Sequence, residues 1–222
     1  MGLLSANQNR KAVAVVHFPT LFSPAQIQVL DELKTRDLEE RQAGSTEVMR
    51  VRALRQNVAR FLHMMVLQTR APLVAEFGTS AAYSTIHLAT AAQRMGGRVF
   101  TVDNVPEKTA WARRSLEAAG LSEVVELFTC DGVEFAEALP SPLDLVLVDY
   151  GIPAFLPALD AVKAKLRPGG LIFVDGWSAE EEDRWETDPN YRAFKEGLEG
   201  DSGFAAWRMP LEGKVHLLAV KS

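Results

Sequence analysis

Acidic side chains recur at one kind of position in the second half of this chain. Asp103, Asp131, Asp149 and Asp175 each stand at or just after a short apolar segment. If these segments are strands of one parallel sheet, the four carboxylates gather at the carboxyl edge of that sheet. Neighbouring carboxylates repel one another, so the pattern favours a ligand that carries hydroxyls, amines or another cationic group over a polyphosphate.

The turn after the first apolar segment has the most specific pattern. It reads Glu76-Phe-Gly-Thr-Ser-Ala-Ala-Tyr-Ser84, and it contains neither a Gly-x-Gly-x-x-Gly run nor a Walker motif. A small-residue turn lets the backbone approach a nucleotide, and a carboxylate about 20 residues on can bind ribose hydroxyls. S-adenosylmethionine (SAM) meets these requirements. Its ribose suits Asp103, its adenine amine suits Asp131, and its amino-acid end suits the 76–78 turn and Asp149.

Alternating strands and helices position these residues. The apolar segments predict strands over 73–77, 98–102, 124–128, 143–148 and 171–174, and a turn over 167–170. The segments between them predict helices near 83–95, 106–119, 133–139 and 155–166. Two further strands, 203–209 and 214–220, are too close for a helical crossover and predict an antiparallel hairpin. The fold class is therefore α/β, with a seven-stranded, mostly parallel sheet that contains one reversed strand.

The first 70 residues have a different, helical pattern. Ser23-Pro24 is typical of a helix start and predicts a helix over 24–40. An apolar stripe predicts a second helix over 46–69. A charged helix is also predicted far from this segment, over 179–198. We divide the chain into a helical segment, 1–70, which covers the cofactor site or forms a homodimer contact, and a SAM-binding domain, 71–222.

Composition restricts the class of protein. The 222 residues carry a net charge of −5, which disfavours a broad nucleic-acid interface. The single cysteine, Cys130, fits a reducing compartment, and we expect the cytoplasm. No apolar run reaches the roughly 20 residues of a membrane span, so no membrane partner is expected.

In order and spacing these residues resemble the class I SAM-dependent O-methyltransferases, in particular the catechol and caffeoyl-CoA group. The resemblance covers about 61–222 and implies a Rossmann-like fold with helices on both faces of the sheet. It implies that the amino-acid end and sulfonium of SAM are held by Glu76, Gly78, Thr79 and Ser84, with Asp149 beside them. It further implies that Asp103 and Asn104 flank the ribose and that Asp131 and Gly132 flank the adenine.

The chain departs from that family at the positions of a divalent cation. Asp149 and Asp175 fall on two positions that ligate a cation such as Mg²⁺ in metal-dependent members. Gly176 stands where the third ligand, an Asn, belongs, and Ile152 stands where a Lys belongs. Metal dependence is therefore open, and Asp149 and Tyr150 are the candidate catalytic residues for removing the acceptor's proton.

Several functions stay open at this point. The first is metal-dependent methyl transfer to a hydroxyl of a small molecule. The second is metal-independent transfer to another type of acceptor, including nitrogen. The third is a SAM-binding protein without catalysis, and the fourth is a nicotinamide oxidoreductase, which the turn sequence disfavours.

Overall fold

A computed structural model describes residues 21–178 and 187–222. The helices are α1 (Pro24–Gln42), α2 (Gln56–Gln68), α3 (Tyr83–Arg94), α4 (Pro106–Ala118), α5 (Gly132–Ala138), α6 (Ile152–Phe155), α7 (Leu159–Lys165) and α8 (Pro189–Glu199), with a 3₁₀ turn at Leu156–Ala158. The strands are β1 (Leu73–Phe77), β2 (Arg98–Val102), β3 (Val125–Phe128), β4 (Leu143–Val148), β5 (Leu166–Ser178), β6 (Phe204–Leu211) and β7 (Lys214–Lys221).

The strands form one seven-stranded sheet in the order β3-β2-β1-β4-β5-β7-β6. Neighbours from β3 to β5 are parallel, whereas β7 is antiparallel to both β5 and β6. The prediction of one reversed strand is therefore confirmed. The hairpin turn is shorter than predicted, because only Glu212 and Gly213 connect the strands, and both have the positive φ that a tight hairpin turn requires.

Two apolar cores cover the two faces of the sheet. Side chains alternate between them along β4: Leu145 and Leu147 belong to the core beneath α1–α4, and Val146 and Val148 to the core beneath α5–α8. This alternation follows from the two-residue period of a strand, and it confirms helices on both faces. The helices α1 and α2 share their core with β1 and α3, so the N-terminal segment packs directly on the sheet domain. The boundary at residue 70 stays a prediction.

The predicted helix over 46–69 is wrong in its first half, because α2 begins only at Gln56. The chain over 46–55 is an irregular loop in which Arg52 has a φ of +49°. Its backbone is tied to α1: Val51 N–H donates to Glu40 and Ala53 N–H donates to Asp37. These bonds replace the ones that a helix would supply. Val51 and Leu54 lie in this loop, and both side chains are buried. Their apolar spacing therefore resembles a helical stripe although the backbone is not helical.

Two smaller expectations also change, and a third is confirmed as far as the described residues extend. The turn predicted over 167–170 is an irregularity inside β5, where the pairing with β4 shifts. The helix predicted near 155–166 divides into α6, the 3₁₀ turn and α7. Of the helix predicted over 179–198, residues 179–186 lie outside the described residues, and α8 confirms the remainder. None of the described helices combines the length and apolarity that a bilayer crossing requires.

Asp37 fixes the 46–55 loop, so we predict that Asp37→Ala lowers the free energy of unfolding by about 3 kcal/mol. Its carboxylate is 1% exposed and accepts hydrogen bonds from Ala53 N–H and Arg41 Nε. The substitution leaves the buried Ala53 N–H without an acceptor and removes the carboxylate that pairs with Arg41. Urea unfolding followed by circular dichroism measures the change. Glu39→Ala, on the exposed face of α1, is the matched control, and equal effects of the two substitutions would contradict the assignment.

Candidate cofactor-binding and active site

The parallel register brings the ends of β1, β2, β4 and β5 to one edge of the sheet. Phe77 pairs with Val102 and with Val148, and Val148 pairs with Val174. The residues that follow these positions are therefore neighbours. A cavity of about 690 Å³ opens at this edge, within the size range of small-molecule sites. The predicted site residues that line it are Gly78, Asp103, Asn104, Asp131, Gly132, Asp149 and Tyr150.

Asp103 is held rigidly at the cavity wall. Its Oδ2 accepts the N–H of Ser80 at 3.0 Å and its Oδ1 accepts the N–H of Val105 at 3.0 Å. Each oxygen keeps a further lone pair, so the carboxylate can still accept two hydroxyl protons. This is the arrangement that a vicinal diol such as a ribose requires.

Gly78 is required by the close approach of two strand ends. Its φ is +109°, and a Cβ at this position would lie 2.6 Å from the carbonyl oxygen of Asp149. Any larger residue would force β1 and β4 apart. The glycine therefore lets the backbone of the turn and the Asp149 peptide form one continuous floor of the cavity.

Three of the predicted cofactor residues lie behind that floor rather than on the cavity surface. Glu76, Thr79 and Ser84 are all buried and do not line the cavity. Glu76 accepts hydrogen bonds from Thr85 at 2.5 Å and from Thr101 at 2.7 Å, and Thr79 contacts the Thr101 hydroxyl at 2.6 Å. Burial raises the pKa of Glu76 to about 7. Contact of these three residues with a cofactor stays a prediction.

The opposite wall is built from α5 and aromatic rings. Asp131 accepts the N–H groups of Val133 and Glu134 and so caps α5, while still lining the cavity. The Tyr150 ring lies parallel to that of Phe77 with centroids 5.8 Å apart, and its hydroxyl covers Gly132. Burial and the charge of Asp131 raise the pKa of Tyr150. Its position is that of a packing residue beside a planar ligand, which favours this role over proton removal.

Asp149 and Asp175 share one buried environment at the ends of β4 and β5. Burial, together with the charges of Asp175 and Glu76, raises the pKa of Asp149 well above its usual range. For Asp175, burial acts in the same direction, but the contacts with His216 and Lys214 lower its pKa overall. Lys214 Nζ lies 2.9 Å from Asp175 Oδ2. Within the described residues, no three His, Cys, Asp or Glu side chains form a metal-binding group.

Comparison with known proteins identifies the domain. Residues 75–177 match the family model described as a methyltransferase domain. A catechol O-methyltransferase from Niastella koreensis is 29% identical over 123 residues, which are 54% of this chain and 55% of the relative. A protein-L-isoaspartate O-methyltransferase from Anaeromyxobacter is 39% identical over 102 residues, 46% of this chain and 44% of the relative. The chain thus spans about half the length of the curated relatives it matches.

A solved structure extends the likeness to nearly the whole fold. The O-methyltransferase from Bacillus cereus, solved with S-adenosylhomocysteine (SAH), superimposes with a TM-score of 0.74 at 22% identity, covering 91% of this chain and 99% of that one. This chain has the class I methyltransferase fold. The resemblance inferred from the Glu76–Ser84 turn is confirmed, and the region that matches the family model begins within β1, the strand that precedes this turn.

Sequence reasoning missed two basic residues that line the cavity of the methyltransferase domain. Arg52 comes from the 46–55 loop and Lys108 from α4. The helix predicted over 46–69 gave no signal for Arg52, which lies in the irregular 46–55 loop instead. Lys108 is the third residue of α4, five residues after Asp103, and burial lowers its pKa although the charge of Asp103 opposes the shift. Only the proximity of Lys108 to Asp103 in sequence could have signalled its place.

The raised pKa of Glu76 makes the stability of the fold depend on pH. The folded state favours the neutral carboxyl, so this stabilisation is complete below pH 4.5 and is lost as the pH rises to about 7. We expect Glu76→Gln to be more stable than the parent at pH 8, by about 3 kcal/mol, and similar at pH 4.5.

Urea unfolding at several pH values measures this difference. Glu107→Gln, at an exposed position on α4, is the control and should follow the parent chain at every pH. A parent–Glu76→Gln difference that does not change with pH would show that the pKa of Glu76 is the same in the folded and unfolded states.

Proposed function

We propose that this chain transfers the methyl group of SAM to a hydroxyl oxygen of a small-molecule acceptor. The observation that carries the proposal is the cavity at the carboxyl edge of the sheet, with Asp103 anchored by two backbone N–H groups and still able to accept ribose hydroxyls. The name of the Niastella relative and the bound SAH of the Bacillus structure support the cofactor and the reaction class.

The cavity suits the parts of SAM in a definite order. Asp103 and Asn104 would bind the ribose, while Asp131, Gly132 and the Tyr150 ring would surround the adenine. The amino-acid end would then lie against Gly78 and Ser80, with the sulfonium on the Asp149 side. SAM supplies an activated methyl group, and the reaction breaks its S–CH₃ bond as the O–CH₃ bond forms and the acceptor loses its proton.

The protein's contribution to this reaction is mainly positional. Holding two reactants in line is a large source of rate enhancement in bimolecular transfers. The floor formed by Gly78 and Asp149 fixes the direction of the sulfonium, because neither backbone can move without separating β1 from β4. Asp149 is the candidate proton acceptor, since it lines the cavity next to the Gly78 turn, on the side where the sulfonium would lie.

Arg52 is the residue best placed to bind the carboxylate of the methionine part of SAM. The Ser80 hydroxyl donates to the carbonyl of Val51 at 2.7 Å, which fixes the adjacent Arg52 beside the 78–80 turn. The guanidinium makes no hydrogen bond or ion pair within the described residues, and it lines the cavity. A carboxylate at this place would receive charge-assisted hydrogen bonds.

The other parts of the proposal concern partners and location. The net charge of −5 supports an acceptor other than nucleic acid, and a single cysteine supports a reducing compartment such as the cytoplasm. Val48 and Arg52 of the N-terminal segment line the cavity, which supports its role as a cover over the cofactor. A homodimer contact made by the same segment stays a prediction.

Calorimetric titration with SAM and SAH tests the cofactor. We expect Asp103→Asn to weaken both ligands at least tenfold, about 1.4 kcal/mol or more, because the amide keeps the shape but loses one acceptor oxygen. Asp160→Asn, a 98% exposed carboxylate on α7, should bind like the parent. No binding of either ligand by the parent chain would overturn the proposal. NAD(H) binding in place of SAM would favour an oxidoreductase.

Arg52→Met tests the orientation of SAM in the cavity. We expect about a tenfold loss of affinity for SAH, and unchanged affinity for 5′-methylthioadenosine, which has no amino-acid end. Arg55→Met, on the same segment but outside the cavity lining, is the matched control. An equal loss for both ligands would contradict the placement of the carboxylate beside Arg52.

A panel of acceptors with radiolabelled SAM tests the reaction itself. It should contain phenols, catechols, amines and an isoaspartyl peptide, because a named relative acts on that peptide class. Labelled product from a hydroxyl acceptor is the expected result. Transfer only to an amine or to the peptide would replace the acceptor class, and SAM binding without any product would favour a non-catalytic SAM-binding protein.

A further inference from the structure

The two carboxylates at the ends of β4 and β5 already have a cation of the protein's own. Lys214 begins β7, the antiparallel strand beside β5, and its Nζ lies 2.9 Å from Asp175 Oδ2. His216, two residues further along β7, places its Nδ1 3.3 Å from Asp175 Oδ1. The reversed strand therefore brings an ammonium group to Asp175. By resemblance, Asp149 and Asp175 stand at two positions that ligate a divalent cation in metal-dependent class I O-methyltransferases.

The position of the third expected ligand is closed to any side chain. A Cβ on Gly176 would lie 2.1 Å from the carbonyl oxygen of Val215 and 3.0 Å from the backbone nitrogen of His216. The Gly176 N–H donates to His216 Nδ1 at 2.9 Å, which ties the Gly176 backbone to the His216 side chain. Introducing a ligand here would require β5 and β7 to separate. The close packing of β5 against β7 therefore accounts for a glycine, rather than an Asn, at position 176.

A divalent cation does not fit the residues that remain. Mg²⁺ is usually held by one or two carboxylates and several waters, so Asp149 and Asp175 would have to supply the protein's share of the ligands. The ammonium of Lys214 already occupies the Oδ2 side of Asp175. A cation placed between the carboxylates would also meet the positive charge of Lys214 at close range.

We infer that the Lys214 ammonium takes the place of the divalent cation at the Asp149–Asp175 pair, and that methyl transfer by this chain needs no metal. The inference rests on the proposed function only for its second half. Lys214 acts here as a positioning residue, because it touches Asp175 and holds that carboxylate next to Asp149. An ammonium does not chelate two neighbouring oxygens as a metal ion does, so the site does not select acceptors that carry a vicinal diol.

Manganese binding, followed by the electron paramagnetic resonance signal of free Mn²⁺, tests the first half without SAM or acceptor. After treatment with EDTA, we expect the parent chain to bind no Mn²⁺ in the millimolar range. Lys214→Met should gain a site, since two buried carboxylates lose their counter-charge, and Lys214→Met/Asp175→Asn should lose it again. Lys214→Arg keeps the charge and should bind no Mn²⁺.

The opposite pattern overturns the inference. One equivalent of Mn²⁺ bound by the parent and lost in Asp175→Asn would establish a metal site. Absence of Mn²⁺ from every variant, including a folded Lys214→Met, would overturn the replacement role of Lys214. Circular dichroism monitors folding, and if Lys214→Met does not fold, the parent, Lys214→Arg and Asp175→Asn still decide whether a metal binds.

Activity provides the second half of the test. With any acceptor that the labelled-SAM panel identifies, EDTA should leave kcat unchanged, and added Mg²⁺ should leave the calorimetric affinity for SAM unchanged. A kcat that requires Mg²⁺ would overturn the inference. Failure of SAM binding would instead overturn the proposed function, and it would leave the Mn²⁺ result standing on its own.

Discussion

Carboxylates that converge on one edge of the sheet are the constraint on which the rest of this structure depends. Parallel strands deliver Asp103, Asp131, Asp149 and Asp175 to the same region, and each is stabilised differently. Backbone N–H groups bind Asp103, the start of α5 binds Asp131, and Lys214 binds Asp175. Burial and the charges of Asp175 and Glu76 raise the pKa of Asp149. Three of these carboxylates, those of Asp103, Asp131 and Asp149, belong to residues that line the cavity, together with Arg52 and Lys108.

This constraint also explains the features around the site that are not acidic. The floor of the cavity is backbone from the Gly78 turn and the Asp149 peptide, which adds no further charge. The reversed strand β7 is what brings Lys214 to Asp175, so the hairpin at the C-terminal end of the sheet has an electrostatic role as well as a structural one. A sheet with only parallel strands would leave this carboxylate pair without that partner.

The regular part of the fold could be predicted from sequence because the apolar runs and the residues that bound them indicate the same strand limits. The apolar runs of β1, β2 and β4 are bounded by Pro, Gly or Asp, and their observed limits match the predicted ones. The 46–55 loop could not be predicted, because its order comes from side chains of α1. Asp37 and Glu40 bind its backbone, and no pattern within the loop itself shows that two carboxylates from another element will do so.

The residues of the candidate site fall into the same two groups, those that the sequence predicts and those that depend on tertiary packing. Residues next to a strand end, such as Asp103 and Asp149, could be found because topology alone places them in the cavity. Arg52, Lys108 and Lys214 could not, since each comes from an element whose approach to the site depends on tertiary packing. The strand pattern therefore specifies the carboxylates at the edge of the sheet, whereas the positions of the three cations depend on how the 46–55 loop, α4 and β7 pack against that edge.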